Sequence, residues 1–310
     1  MGPVDEDRYR EAERALWASV DVQPTEVFVT LDRTSATVRV QQVGDGPPIV
    51  FVHGASNAGT SWASLAAGLG DFRCILIDRP GCGLSPRLIG NHADLIAFGR
   101  FADDLVVDVL DAFGITDAHV IGTSLGGYFA IRTAAVHPDR VRRLVTLSWS
   151  FGAPTVSTPM VMRVATQPFL GRLALRIPPN ERMVRSMLKR IGLRHAVESG
   201  RFGAVETAWF LSLLRDTDTM RNEIDATPRI LTWRGFNEET RLPTDVLASV
   251  RCPAFFLWGE DDPMGGAEIA EEFVASFPDA HLELMPDAGH APWIDDPDHV
   301  ADRVGSFLRS

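Results

Sequence analysis

Residues 116–135 read T-D-A-H-V-I-G-T-S-L-G-G-Y-F-A-I-R-T-A-A. Residues 118–121 are a short apolar run suited to a buried strand, Gly122-Thr123-Ser124-Leu125-Gly126 is a G-x-S-x-G turn, and residues 127–135 predict a helix. A strand, a sharp turn and a helix in that order would hold a serine in strained backbone. Its place at the amino end of a helix favours negative charge, because the first N–H groups there have no helical partner. The flanking glycines remove side chains that would collide with the helix. The stretch thus presents Ser124 as a nucleophile. A glycine-rich turn with a solvated serine is the plainer alternative, and the sequence downstream speaks against it.

Upstream, residues 49–52 (I-V-F-V) are apolar throughout, and residues 73–77 are apolar after Arg73. Such runs, without polar alternation, predict a sheet covered on both faces. Residues 60–69 predict a helix, and Phe98, Phe101, Leu105, Val109, Leu110 and Phe113 recur at helical spacing before the stop at Gly114. Upstream, residues 5–20 predict a surface helix and residues 26–31 and 36–43 two strands; downstream, residues 141–149 predict another strand. Strands and helices alternate to Trp149, as in a doubly wound, mostly parallel sheet.

From Phe151 to about residue 242 the pattern is helical, rich in Met and Leu, broken by Pro159, Pro168, Pro178, Pro179 and Pro228, and without a buried strand. Strand rhythm resumes at residues 254–258, followed by a helix at 267–277, a strand at 281–285 and a helix at 298–308. The expected organisation is an α/β core of residues 1–150 and 243–310 with a helical lid, residues 151–242, inserted in it.

The 310 residues, 45% hydrophobic and 23% charged, suffice for one large α/β domain with an insertion. A formal charge of -11 opposes nucleic acid as a partner. Cys74, Cys82 and Cys252 are scattered and odd in number, so neither a disulfide framework nor a zinc site is expected, and a reducing compartment is the default. The charged first twenty residues are unlike a secretory leader, and no apolar run approaches the ~20 residues that span a bilayer. The expectation is a soluble, cytoplasmic protein.

A serine nucleophile needs a base, an acid behind the base, and donors for the oxyanion, all from loops at the carboxyl ends of strands. Trp258-Gly259-Glu260-Asp261-Asp262-Pro263 follows one strand and Pro286-Asp287-Ala288-Gly289-His290 follows the next. The order serine, acid, histidine is the one this elbow motif predicts. Spacing alone leaves three acids open.

With F-V-H-G (51–54), D-R-P-G-C-G-L-S (78–85), G-T-S-L-G-G (122–127), W-G-E-D-D-P (258–263) and G-H (289–290) in order, the chain resembles the α/β-hydrolase superfamily over nearly its whole length. It is most similar to the lid-bearing branch of carboxylesterases, carbon–carbon bond hydrolases and cofactor-free haloperoxidases. The resemblance implies the α/β-hydrolase fold and a triad of Ser124, Asp262 and His290. In that family the acid stands three residues after the glycine closing the strand, which selects Asp262. The resemblance also implies an oxyanion hole from the backbone N–H groups of Ala55 and Leu125, with His53 shaping the loop.

Departures narrow the chemistry that the resemblance implies. Haloalkane dehalogenases and epoxide hydrolases attack with an aspartate where this chain has Ser124, and the only tyrosines, Tyr9 and Tyr128, lie outside the expected lid. Hydrolases of meta-cleavage products carry Asn before the nucleophile and Trp after the histidine, where this chain has Thr123 and Ala291.

A small-molecule substrate, a small to medium and largely apolar ester or thioester, is expected, with no metal or organic cofactor. Carbon–carbon hydrolysis or perhydrolysis by the same triad is the alternative, and a non-catalytic ligand receptor is the alternative of another class. Trp149 and Trp209 are candidate pocket walls, and His195 could touch substrate. Residues 163–194 carry eight basic residues against one acid, Glu181. This is either a solvated helix face or a stripe attracting an anionic substrate or, weakly, an anionic membrane surface.

Overall fold

A computed structural model describes residues 4–88, 94–156 and 177–310, with backbone alone at 227–229. The charged opening folds as α1 (Glu6–Ala18), capped by the Asp5 carboxylate, which accepts the Arg8 N–H. Strands β1 (Thr25–Thr30), β2 (Thr37–Val43) and β3 (Pro48–Val52) follow, then α2 (Ala63–Gly68) behind a 3-10 turn, β4 (Arg73–Asp78), α3 (Leu95–Ala112) and β5 (Ala118–Ser124). Helix α4 (Leu125–Val136) leads from Ser124 to β6 (Val141–Ser150).

The chain then leaves the sheet. Its next described elements are α5 (Glu181–Arg190), α6 (Arg194–Ser199), α7 (Ala204–Asp216), α8 (Thr219–Ile230), and the strands β7 (Leu231–Thr232) and β8 (Gly235–Phe236). After α9 (Thr244–Ala248), the alternation resumes with β9 (Ala254–Gly259), α10 (Ala267–Val274), β10 (Ala280–Met285), α11 (Pro292–Asp295) and α12 (Pro297–Arg309). The β7–β8 hairpin departs from the expectation of helices alone in this segment. Two-residue strands are too short to leave a periodic trace in sequence. The expected helix at 60–69 begins instead as the 3-10 turn Gly59–Trp62.

The eight-stranded sheet has the order β1-β2-β4-β3-β5-β6-β9-β10, antiparallel where β2 meets β1 and β4 and parallel elsewhere. Its apolar strands divide residue by residue between two cores. Val50, Val52, Ile75 and Ile77 face one, with α3 and α4, while Ile49, Phe51, Cys74 and Leu76 face the other, with Trp62, Trp293 and Val304. Each fully buried Val, Ile or Phe side chain contributes about 1.5–3 kcal/mol, so both faces hold the central strands in register. β3 and β5 occupy the middle of the sheet, and the carboxyl end of β5 carries Ser124 there. Among the described residues no helix is long and apolar enough to cross a membrane.

Candidate active site

Ser124 has φ 51° and ψ -122°, backbone that costs a non-glycine residue about 1–3 kcal/mol. The surrounding packing imposes it. A Cβ on Gly126 would lie 1.9 Å from the Val52 carbonyl oxygen, and one on Gly122 would lie 2.5 Å from that of Gly126. Strand and helix therefore meet at a distance only glycine permits, and the residue between them turns outward. The Leu125 N–H opens α4, among the N–H groups that have no partner within a helix.

The carboxylate of Asp262, with no solvent-exposed side-chain surface, accepts three N–H groups: His290 Nδ1 at 2.8 Å, the Met264 amide at 3.0 Å and the Trp149 amide at 3.1 Å. Nδ1 thus carries the proton, and Nε2 is left as an acceptor. Burial works against a charged His290 ring, but the charge and hydrogen bond of Asp262 outweigh it and hold the imidazole above its ordinary value. The histidine loop is fixed on three sides. The Gly289 N–H donates to Asp295 at 2.9 Å, Ser148 Oγ donates to the Gly289 carbonyl at 2.7 Å, and the His290 N–H donates to the Ile191 carbonyl at 3.0 Å.

Ser124 and His290 line one cavity of about 1310 Å³, together with Gly54 and Ala55. Among the described residues no hydrogen bond joins Ser124 Oγ to His290, a contact that in free enzymes often tightens only around substrate. The Gly54–Ala55 peptide is oriented from behind. His53 Nδ1 donates to the Gly54 carbonyl at 2.7 Å, and Arg79 Nη2 donates to it at 2.9 Å. In a planar trans peptide the N–H points opposite to the C=O, so the Ala55 N–H faces away from Arg79. His53 is fully buried and accepts the Arg79 N–H at Nε2. Burial, and then the Arg79 charge, hold it well below its ordinary value, so it is neutral.

Arg79 also donates to the His53 carbonyl at 3.1 Å and pairs with Glu223 of α8 at 2.9 Å. This pair was invisible to sequence reasoning, since Glu223 lies 144 residues from its partner. The available signal was an arginine directly after an apolar strand, in D-R-P-G. Arg79→Met is expected to lower kcat by up to about 10²-fold with little change in KM if the Ala55 N–H is the oxyanion donor proposed below, because the Gly54–Ala55 peptide loses its backing. Arg79→Lys should not restore the rate, because one ammonium cannot span both carbonyls and Glu223 as the guanidinium fork does. Asp295 was also missed. It accepts from Gly289 and from the Ala196 amide at 3.2 Å, and burial pushes its carboxyl up to about 6.

The two tryptophan expectations part ways. Trp209 lines the cavity, with Phe202, Phe210 and Leu214 beside it. Trp149 does not; its ring is buried behind the histidine, stacked on Phe236 at 5.3 Å with its Nε1 donating to the Pro154 carbonyl, and only its backbone serves the site. His195 is exposed and outside the cavity lining.

The basic stripe divides as well. Arg185 and Lys189 pair with Glu181 and Glu198, whereas Arg182 and Arg190 line the cavity; Arg163, Arg172 and Arg176 lie outside the described residues. Burial raises the Cys82 thiol well above its ordinary value, which argues against it as a rival nucleophile. No group of three or more His, Cys, Asp or Glu among the described residues is placed to hold a metal ion.

A strained serine after a central strand, with a carboxylate-bound histidine on the same cavity, is the geometry of a hydrolase. The chain belongs to the alpha/beta hydrolase fold family, whose model matches residues 47–297.

Among curated relatives, a 2-hydroxy-6-oxononadienedioate/2-hydroxy-6-oxononatrienedioate hydrolase of Burkholderia vietnamiensis is 26% identical, covering 86% of this chain and 89% of its own. A pimeloyl-[acyl-carrier protein] methyl ester esterase of Chromobacterium violaceum is 28% identical, covering 82% and 91%. Among solved structures, the naproxen esterase of Bacillus subtilis superposes with a TM-score of 0.73 at 20% identity, covering 97% of each chain.

Proposed function

We propose that this enzyme hydrolyses carboxylic esters or thioesters through an acyl-enzyme intermediate. The observation that carries the reading is the 2.8 Å bond from His290 Nδ1 to a fully buried Asp262 carboxylate, with Nε2 left as an acceptor on the cavity that holds Ser124. His290 takes the proton of Ser124 as Oγ attacks the carbonyl, and the Ala55 and Leu125 N–H groups stabilise the oxyanion. His290 then protonates the leaving alkoxide or thiolate, and water, activated by the same ring, releases the acid.

The segment 151–242 serves as the lid, as supported by the share of the cavity wall that α5 and α7 supply. A cavity of about 1310 Å³ exceeds the usual ~300–1,000 Å³ of small-molecule pockets. With an apolar wall of Met183, Met187, Trp209, Phe210 and Leu214, it suits a medium or long apolar group, while Arg182 and Arg190 can meet an anionic end. The relative named as a methyl ester esterase agrees with this class.

Carbon–carbon hydrolysis by the same three residues is favoured by the name of the Burkholderia relative. Against it, the Thr123 hydroxyl is committed to the Leu147 carbonyl at 2.7 Å and offers the substrate no amide. A series of nitrophenyl esters, beside a vinylogous diketone and a fluorophosphonate label, tests the reading. Ester turnover with labelling at Ser124 supports it. Turnover of the diketone alone replaces it with carbon–carbon hydrolysis, and absence of labelling returns the chain to a ligand receptor.

A further inference from the structure

Helix α1 lies outside the residues matched by the family, which begin at residue 47, yet its carboxyl end enters the site: Leu16 in its last turn, with Ser19 and Val20 just after it, lines the same cavity as Ser124 and His290. The Asp5 N–H donates to the Asp216 carbonyl at 2.9 Å, and Arg8 pairs with Asp216 at 3.3 Å, which sets the start of α1 against the end of α7. The two helices pack along their length and therefore run antiparallel. The last turn of α1 then falls beside the first half of α7, where Glu206 and Trp209 line the cavity.

The helix is also anchored to the sheet. Glu13, 4% exposed, receives both Nη groups of the buried Arg39 on β2, at 2.8 and 2.5 Å, and Arg39 meets Asp78 at the end of β4 at 3.2 Å. Tyr9 and Trp17 of the same helix are buried in the core that holds Phe51 and Leu76. A helix bolted to the sheet by a desolvated ion cluster and to α7 by its first turn is a fixed wall.

The geometry points to Leu16 and Val20 as specificity-determining residues that set the size of the apolar group the cavity accepts. The kinetic part of the test rests on the esterase reading; the binding part does not. Val20→Trp, which projects its ring into the cavity, lowers the ratio of kcat/KM for dodecanoyl over butyryl nitrophenyl ester by about ten-fold or more, and Leu16→Ala raises it. Arg14→Trp adds the same bulk to an exposed position of α1 outside the cavity and leaves the ratio within about two-fold.

Calorimetric titration of dodecanoate into Ser124→Ala, with and without Val20→Trp, reads the wall without turnover, and the second substitution weakens binding about ten-fold. An unchanged ratio together with unchanged dodecanoate affinity in folded Val20→Trp protein overturns the proposal, as does a Ser124→Ala protein that binds no dodecanoate. If the wild type cleaves neither ester while Val20→Trp still weakens dodecanoate binding, the wall stands and the esterase reading falls.

Discussion

Ser124→Ala is expected to lower kcat by at least about 10⁴-fold while the protein stays folded, because removing the proposed nucleophile would leave only what binding and the oxyanion donors supply. The same position separates catalysis from strain. Alanine still bears a Cβ at φ 51°. Ser124→Gly loses the nucleophile equally but relieves the backbone, a gain of about 1–3 kcal/mol set against about 0.5–1 kcal/mol for the greater freedom of glycine in the unfolded chain. The glycine variant should therefore be more stable than the alanine variant by about 1 kcal/mol, read from paired urea unfolding curves. Equal activity of wild type and both variants would falsify the assignment of Ser124.

Asp262→Asn should lower kcat by about 10⁴-fold with KM little changed, since the carboxylate is buried behind the ring and has no exposed surface to offer substrate. An amide there presents N–H to Nδ1, reverses the tautomer and leaves Nε2 protonated, unable to accept from Ser124. The pH profiles carry a second signature. In the wild type the His290 imidazole titrates above its ordinary value, so activity begins to fall on acidification at a higher pH than an unperturbed imidazole would set. The ion pair's contribution to stability runs the other way, because the folded state binds the proton more tightly than the unfolded chain. It is fully present below the unfolded imidazole value and is lost as pH rises through the folded one. Without the carboxylate only burial acts on the ring, so the acid limb of the residual activity should move to lower pH and the added acid-side stability should vanish. An acid limb that stays in place in Asp262→Asn shows that another group sets it.

The core elements were readable because their signals are local. Continuous apolar strands at 49–52 and 73–77, helical spacing from Phe98 to Phe113, and glycines around Ser124 each act over a few residues, and the observed sheet and elbow follow them. Of the proposed triad, Ser124 is marked in the sequence by its own turn, and Asp262 and His290 by their places just after strands. What stood far apart along the chain did not announce itself. Arg79 with Glu223, Asp295 with the Ala196 amide, and Glu13 with Arg39 are contacts whose partners no pattern of either segment specifies. Trp149 was legible as a residue at a strand end but not in its orientation, because aromatic packing against Phe236 decided which way its ring turned.

Sequence by itself therefore determined the alternating core, the strained serine and the order of the groups that follow it, since backbone periodicity, glycine sterics and strand ends are properties of short segments. Only the tertiary structure decided which basic residues of α5 reach the cavity, what orients the peptide before Ala55, and that the carboxyl end of α1 walls the site. Those depend on burial and on contacts across tens to hundreds of residues, where the energy of a contact comes from what the folded chain brings beside it.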